Sequence, residues 1–477
     1  MTKLVDALRT EDVLTENGMT TNSTSLNNCV DLFFQIGAMR GQDKTRLINS
    51  FTKAYGENPL VAMKLLFWAR DIRGGAGERQ IFRDIVSYMA KNHKASIAKN
   101  IQLISEFGRW DDVLSLLGTG LESAALETIA TGLANKNGLC AKWMPRPSVN
   151  SRDKKAQAEL VRKHLKLTPK EYRKMLSELS NTVEQAMCAK NWEVIEYSKL
   201  PSRAMADYMK AFSKNDSIRF QAYMDALDKG ETKINAGAVY PYDVVKSMKN
   251  GVAQGANAQW NALPNYMIGN TERLMPMCDV SGSMDCPAGQ NPNVSCLDVC
   301  ISLGLYISER NEGAFKDAFM TFSARPEIQV LKGTLSERYA QLHRAQWDMN
   351  TNLEAAFKML LNKAVTYNVP ELEMPTMIVI FSDMQFDRCG SDSWNPTAQQ
   401  MIEAQYTKAG YKIPKVVFWN LNAHNSDSPV RFDKQNTALV SGFSPSLLTS
   451  LLAGKDLTPI SMMLEVVNSE RYSKVTI

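Results

Sequence analysis

From Ser25 to about Leu227 the apolar residues return with helical spacing. Val30, Leu32, Phe33, Phe34, Ile36 and Met39 form one face, and Arg46 to Ala54 a second helix. Pro59 to Arg70 reads as a third, with proline in its first turn. Gly74-Gly75-Ala76-Gly77 interrupts the pattern, and Glu78 to Met89 resumes it. Short helices are expected to continue through 94–108, 109–117, 122–135, 155–166 and 169–190, with no strand alternation between them. Such a run predicts stacked, HEAT-like helical hairpins, each pair burying its face on the next. Gly251 to about Asn270 is small and polar with no sustained period, and reads as a linker.

Past that point strands alternate with helices. Leu274 to Asp279 is an apolar run ending on a carboxylate, and Val294 to Glu309 is helical. A strand fits Phe315 to Phe322 and a helix Asn352 to Ala364. Met377-Ile378-Val379-Ile380-Phe381 has no polar position, as expected for a strand covered on both faces of a parallel sheet. Val416 to Trp419 and Thr437 to Val440 repeat it, which predicts right-handed crossovers and a doubly wound α/β sheet. The chain thus reads as two domains: 1–268, all-α helical repeats, and 269–477, α/β.

Composition narrows the class. With 477 residues the chain exceeds one ordinary core. No run approaches the roughly 18–20 apolar residues that cross a bilayer, and the start lacks a signal-peptide core; a cytoplasmic protein is expected. The eight cysteines are spread thinly, which predicts free thiols, with Cys296 and Cys300 buried on a helix. Net charge is +5, but residues 141–180 alone carry 11 Lys/Arg against 4 Asp/Glu. A local basic excess on a near-neutral chain favours a polyanion over a merely solvated helix face.

Candidate chemistry lies at the strand ends, where open α/β sheets bind ligands. Asp279-Val280-Ser281-Gly282-Ser283 follows the first strand, Thr351-Asn352 precedes a helix, and Ser382-Asp383 follows the most apolar strand. Asp279 and Asp383 supply charge; Ser281, Ser283 and Thr351 supply neutral oxygens. This all-oxygen set suits a hard cation, Mg²⁺ with retained waters better than Ca²⁺. With two negative charges against a dication, it could still accept a partner's carboxylate or phosphate. The three segments, in this order over roughly 270–455, resemble the von Willebrand A family and its metal-ion-dependent adhesion site (MIDAS). Met349-Asn350 stands where that family often has glycine, so Thr351 is the ligand in question; an N-cap is its other reading. Cys286 to Ser295 reads as an insertion over the site.

In the first half, Arg70-Asp71-Ile72-Arg73-Gly74-Gly75-Ala76-Gly77-Glu78-Arg79, Gly108-Arg109-Trp110-Asp111-Asp112, Ala141-Lys142-Trp143-Met144-Pro145 and Lys199 to Met205 resemble the TROVE-like proteins, which include the Ro ribonucleoproteins. That resemblance implies a helical ring closed by a von Willebrand A domain, gripping small structured or misfolded RNA. By their chemistry, Arg70, Arg73, Arg79 and Arg83 bracket the glycine turn, whose N–H groups could face an anion. Lys142, Arg146, Lys154, Lys155, Arg162 and Lys163 make the densest basic tract, and Trp143 within it could stack on a base. Trp68 and Trp110 are expected in the core. The leading expectation is a non-enzymatic RNA-binding protein; the alternative is a metal-dependent protein-interaction scaffold. No catalytic constellation, membrane contact or DNA sequence reader is expected.

Overall fold

The computed structural model describes residues 12–249, 253–288, 294–322, 325–343, 350–391, 393, 395–453 and 457–477. It combines a helical half with a six-stranded sheet. A short antiparallel hairpin, β1 (Asp12–Leu14) and β2 (Thr20–Asn22), comes first. The sheet comprises β3 (Leu274–Asp279), β4 (Ala318–Phe322), β5 (Glu327–Val330), β6 (Met377–Ser382), β7 (Lys415–Asn420) and β8 (Thr437–Ser441). Their order is β5-β4-β3-β6-β7-β8, all parallel except the edge strand β5. Every residue of β3, β4, β6 and β8 is buried, as the unbroken apolar runs require.

β3 leads outward to β4 through helix Cys296–Arg310, whereas β6 leads the other way to β7 through Ala398–Ala409. The winding reverses between β3 and β6, the switch point at which open α/β sheets have their ligand crevice. Asp279 closes β3 at that point, and Asp383 follows β6 directly.

Helices Asn28–Ile36, Lys44–Glu57, Pro59–Arg70 and Arg79–Asn92 confirm the first stretch of periodicity, with Asn27, Asp43 and Asn58 capping the first three through side-chain oxygens. The stretch 169–190 divides into Pro169–Ser180 and Val183–Cys188, because Asn181 adopts a left-handed conformation between them. The stretch expected to be a linker is helical in part. Ala253–Asn261 is a helix; Trp260 is 1% exposed and its indole N–H donates to Glu309 Oε2 at 2.6 Å, so tertiary packing overrides a weak local pattern. Gly251 and Val252 lie outside the described residues.

The two halves are tied at several points. Helix Asn28–Ile36 packs on β8, and Gly37 is a necessity there: a Cβ would stand 2.5 Å from the Ser441 carbonyl oxygen. Pro241–Lys249 packs on Cys296–Arg310, which explains why that second helix is buried nearly all round. The C-terminus returns to the helical half, where Asp71 accepts hydrogen bonds from Arg471 Nη2 at 2.7 Å and the Tyr472 hydroxyl at 3.0 Å. Asn100 exchanges hydrogen bonds with the Thr476 backbone. Among the described residues no helix is long and apolar enough to cross a membrane.

Candidate metal centre and nucleic-acid interface

The carboxylates at the crevice are desolvated and oriented. Asp279 is fully buried; Oδ1 accepts the Ser281 N–H at 3.0 Å, and Oδ2 accepts the Ser382 hydroxyl at 2.6 Å. Ser281 and Ser283 hydroxyls are 3.1 Å apart. Asp383 Oδ1 accepts the Gln385 N–H at 3.2 Å, whereas Oδ2 is buried with no hydrogen-bond partner among the described residues. Burial, and then the charge of Asp383, push the Asp279 carboxyl up to about 7; burial also raises Asp383. Met384, at φ +67°, turns the chain sharply after Asp383, a strained conformation of the kind that gathers at binding sites.

Thr351 is 1% exposed and held beside the same turn, its carbonyl accepting the Asp387 N–H at 3.0 Å. It is not the helix N-cap. Asn352 takes that place, accepting the Ala355 N–H at 2.8 Å. The N-terminal hairpin covers this side: Asn17 Nδ2 donates to the Gln385 carbonyl at 2.6 Å and lies 3.4 Å from Thr351 Oγ1. Among the described residues no group of three or more His, Cys, Asp or Glu gathers as a metal site, at the crevice or elsewhere. A cation at the crevice would therefore depend on hydroxyls as well as carboxylates. The unpartnered Oδ2 and the mutual repulsion of two buried acids fit a hard cation. Met349 lies outside the described residues, as do residues 289–293 of the expected insertion.

The basic residues separate into two groups. Arg70 is 2% exposed and its Nε bonds Asp112 Oδ2 at 2.8 Å, so its expected role at a phosphate is replaced by a structural one. Arg83 pairs with Asp112 at 2.6 Å and with Asp111 at 2.8 Å. The glycine turn is likewise structural. The N–H groups of Gly75 and Gly77 donate to the Asp71 carbonyl, that of Ala76 to Trp68, and that of Glu78 to Ala69. Gly77, at φ +72°, also lies under the Tyr240 hydroxyl, which a Cβ would approach to 2.4 Å. The N–H groups of Gly75, Ala76 and Gly77 are thus bonded within the fold, whereas helix Arg79–Asn92, which follows the turn, starts without a side-chain N-cap.

Arg79 is exposed and lines a cleft of about 650 Å³ with Arg83, Lys142, Trp143, Ser151 and Lys154. It also lines a neighbouring cleft of about 640 Å³ with Arg40, Lys44 and Arg109. The Arg109 guanidinium lies 4.7 Å from the centre of the Trp143 ring; burial lowers its pKa, and the charges of Arg79 and Arg70 act in the same direction. Lys142 is partly committed to Glu184 at 2.9 Å. The other candidates lie outside this lining. Arg73, Lys155 and Lys163 are exposed, Arg146 is half-buried with an unpartnered Nη1, and Arg162 is fastened to Glu159 and the Leu167 carbonyl. Trp68 is wholly buried and Trp110 packs partly buried against Gly132, as expected of core residues.

One feature of the crevice wall escaped the sequence reading. Cys286 and Cys296 sulfurs are 3.5 Å apart, and Asn422 Nδ2 reaches both Cys286 Sγ at 2.9 Å and His424 Nε2 at 2.6 Å. Hydrogen bonding with Cys296, then with His424 and Asn422, brings the Cys286 thiol down to about 5; the same contact with Cys286, followed by burial, raises Cys296.

Comparison with known proteins places both halves. Residues 15–136 and 122–271 match the family model described as Domain of unknown function (DUF2828), and residues 274–474 match Domain of unknown function (DUF7788). Neither is a TROVE or von Willebrand A model. "Uncharacterized protein L728" of Acanthamoeba polyphaga mimivirus is 30% identical over 508 residues, covering 95% of this chain and 86% of the viral protein. The chain belongs to the DUF2828 family, its α/β half being of the DUF7788 type.

Proposed function

We propose that this protein binds RNA, as a binding protein and not an enzyme, through the cleft between helices Arg79–Asn92 and Arg152–His164. The observation that carries this reading is convergence: Arg79, Lys142, Trp143 and Lys154 come from three separated stretches of sequence and line one opening. Exposed cations there can replace the counterions of a phosphate chain, and the indole offers a surface on which a base can stack. The resemblance to Ro ribonucleoproteins points the same way, toward small structured or misfolded RNA with a single-stranded end. In this reading the α/β half is a von Willebrand A-type domain; the strand order with one antiparallel edge supports that. Asp279, Ser281, Ser283, Thr351 and Asp383 would hold Mg²⁺ or another divalent cation of the MIDAS kind.

The test is binding to a hairpin RNA with a single-stranded 3′ tail. Wild-type protein should bind, and the Arg79→Glu/Lys154→Glu variant should lose at least tenfold in affinity. Equal binding by both would reject the cleft as the site. A second reading, a metal-dependent protein scaffold, has its own support in the unpartnered Asp383 Oδ2. It requires a partner's acid to reach the cation past the hairpin that carries Asn17. Mg²⁺-dependent capture of an acidic protein, lost in Asp279→Ala and unchanged in the cleft variant, would favour it.

A further inference from the structure

The dithiol beside the cation loop is unused by either reading. Pro287 pairs with Ser295 in an antiparallel bridge, and the Cys296 N–H donates to the Cys286 carbonyl at 3.0 Å. In that register Cys286 and Cys296 stand opposite one another and make one of the two hydrogen bonds of a ladder pair whose Cα atoms are about 5.5 Å apart; the Cys286 N–H turns instead to the Ser283 carbonyl. Such a Cα spacing lies within the roughly 4.4–6.8 Å span of disulfides, and the sulfurs already face each other at 3.5 Å. Access is unequal: Cys286 is half-exposed and Cys296 is 1% exposed. The Asn422 amide, donating to Cys286 Sγ at 2.9 Å, steadies negative charge on the more accessible sulfur. Cys278 and Cys300, by contrast, are both wholly buried in the core, out of reach of an oxidant in water.

We propose that Cys286 and Cys296 are a modification site for peroxide, closing reversibly to a disulfide across the bridge that follows the cation loop. Cys286, having given its proton to solvent, attacks hydrogen peroxide. The S–O bond forms, the O–O bond breaks, and the departing hydroxide takes up a proton to become water. Cys296 then attacks the Cys286 sulfur; the S–S bond forms, the S–O bond breaks, and the Cys296 proton leaves with the oxygen as a second water. Two thiols lose two electrons, and one peroxide becomes two waters. The half-exposed thiol takes the oxidant, and the buried one resolves it.

The reduced protein should be treated with stoichiometric hydrogen peroxide, alkylated, and cut after Asp285 and Asp298. The resulting peptide, 286–298, contains no other cysteine. The expected result is a peptide lighter by two hydrogens and unalkylated, restored to two alkylated thiols by dithiothreitol. In Cys296→Ser the reaction should halt at a sulfenic acid on Cys286 that dimedone traps; in Cys286→Ser, Cys296 should stay unlabelled at the same dose. A wild-type peptide alkylated at both cysteines would overturn the proposal, and that result requires no variant to fold. Dimedone labelling of Cys296 in Cys286→Ser would overturn the assigned order.

Discussion

The crevice and the cleft hold charge in opposite ways. At the crevice two carboxylates are withdrawn from water, oriented by the Ser382 hydroxyl and backbone N–H groups, and left with an unsatisfied oxygen. In the cleft, Arg79 and Lys154 are exposed and Lys142 only partly committed. Preorganised, desolvated charge suits one small ion with a fixed coordination geometry. Solvated, mobile charge suits a polymer whose own counterions are released on binding, and it costs the fold little. Arg70 shows what happens when a cation in the same neighbourhood is buried: it is paired with Asp112 and becomes part of the structure.

That contrast can be broken most severely at Asp112. Asp112→Ala leaves Arg70 buried without its partner, and should cost about 3–5 kcal/mol of stability in a urea melt. A loss below about 1 kcal/mol would mean that Arg70 is free to turn outward. Next in size is the cation. Mg²⁺ at 100 times its dissociation constant should stabilise the wild type by about 2.7 kcal/mol, read as a shift in the thermal midpoint. Asp383→Asn should abolish the shift; an equal shift in that variant would place the ion elsewhere.

Elements are legible in the sequence where one local pattern determines the outcome. β3 and β6 are continuous apolar runs ending on Asp279 and on Ser382 before Asp383, so both the strands and their carboxylates were legible. β5, Glu-Ile-Gln-Val, alternates weakly and is half-exposed at a sheet edge, so nothing in it announced a strand. The hairpin β1–β2 is short and polar, held partly by Asn22 on the distant Ser428 carbonyl at 2.9 Å. The same limit applies to chemistry. Arg70 and Arg79 look alike in sequence, and only Asp112, 42 residues from Arg70, distinguishes them. Asn422 meets Cys286 across 136 residues, a proximity that no spacing rule reveals.

Two smaller effects separate the cleft from the crevice further. Trp143→Ala should weaken binding of a single-stranded tail by about 1–3 kcal/mol, the worth of stacking one base, while leaving the salt dependence unchanged. A changed salt slope would mean that the substitution disturbs the cations around it. Smallest is Asn17→Ala, which removes the amide hydrogen bond to the Gln385 carbonyl and should cost about 1 kcal/mol in thermal stability. A larger loss would show that the hairpin holds the crevice together as well as covering it.

The proposed grip on RNA belongs to the cleft and not to the basic helix face as a whole. It is tested by the slope of log affinity against log salt for wild type, Arg79→Glu/Lys154→Glu and Lys155→Glu/Lys163→Glu. The cleft pair is expected to weaken binding at least tenfold and to flatten the slope by about two phosphate contacts, while the other pair stays near wild type. Equal losses in both variants, or a slope that neither changes, would mean that RNA is not held in the cleft.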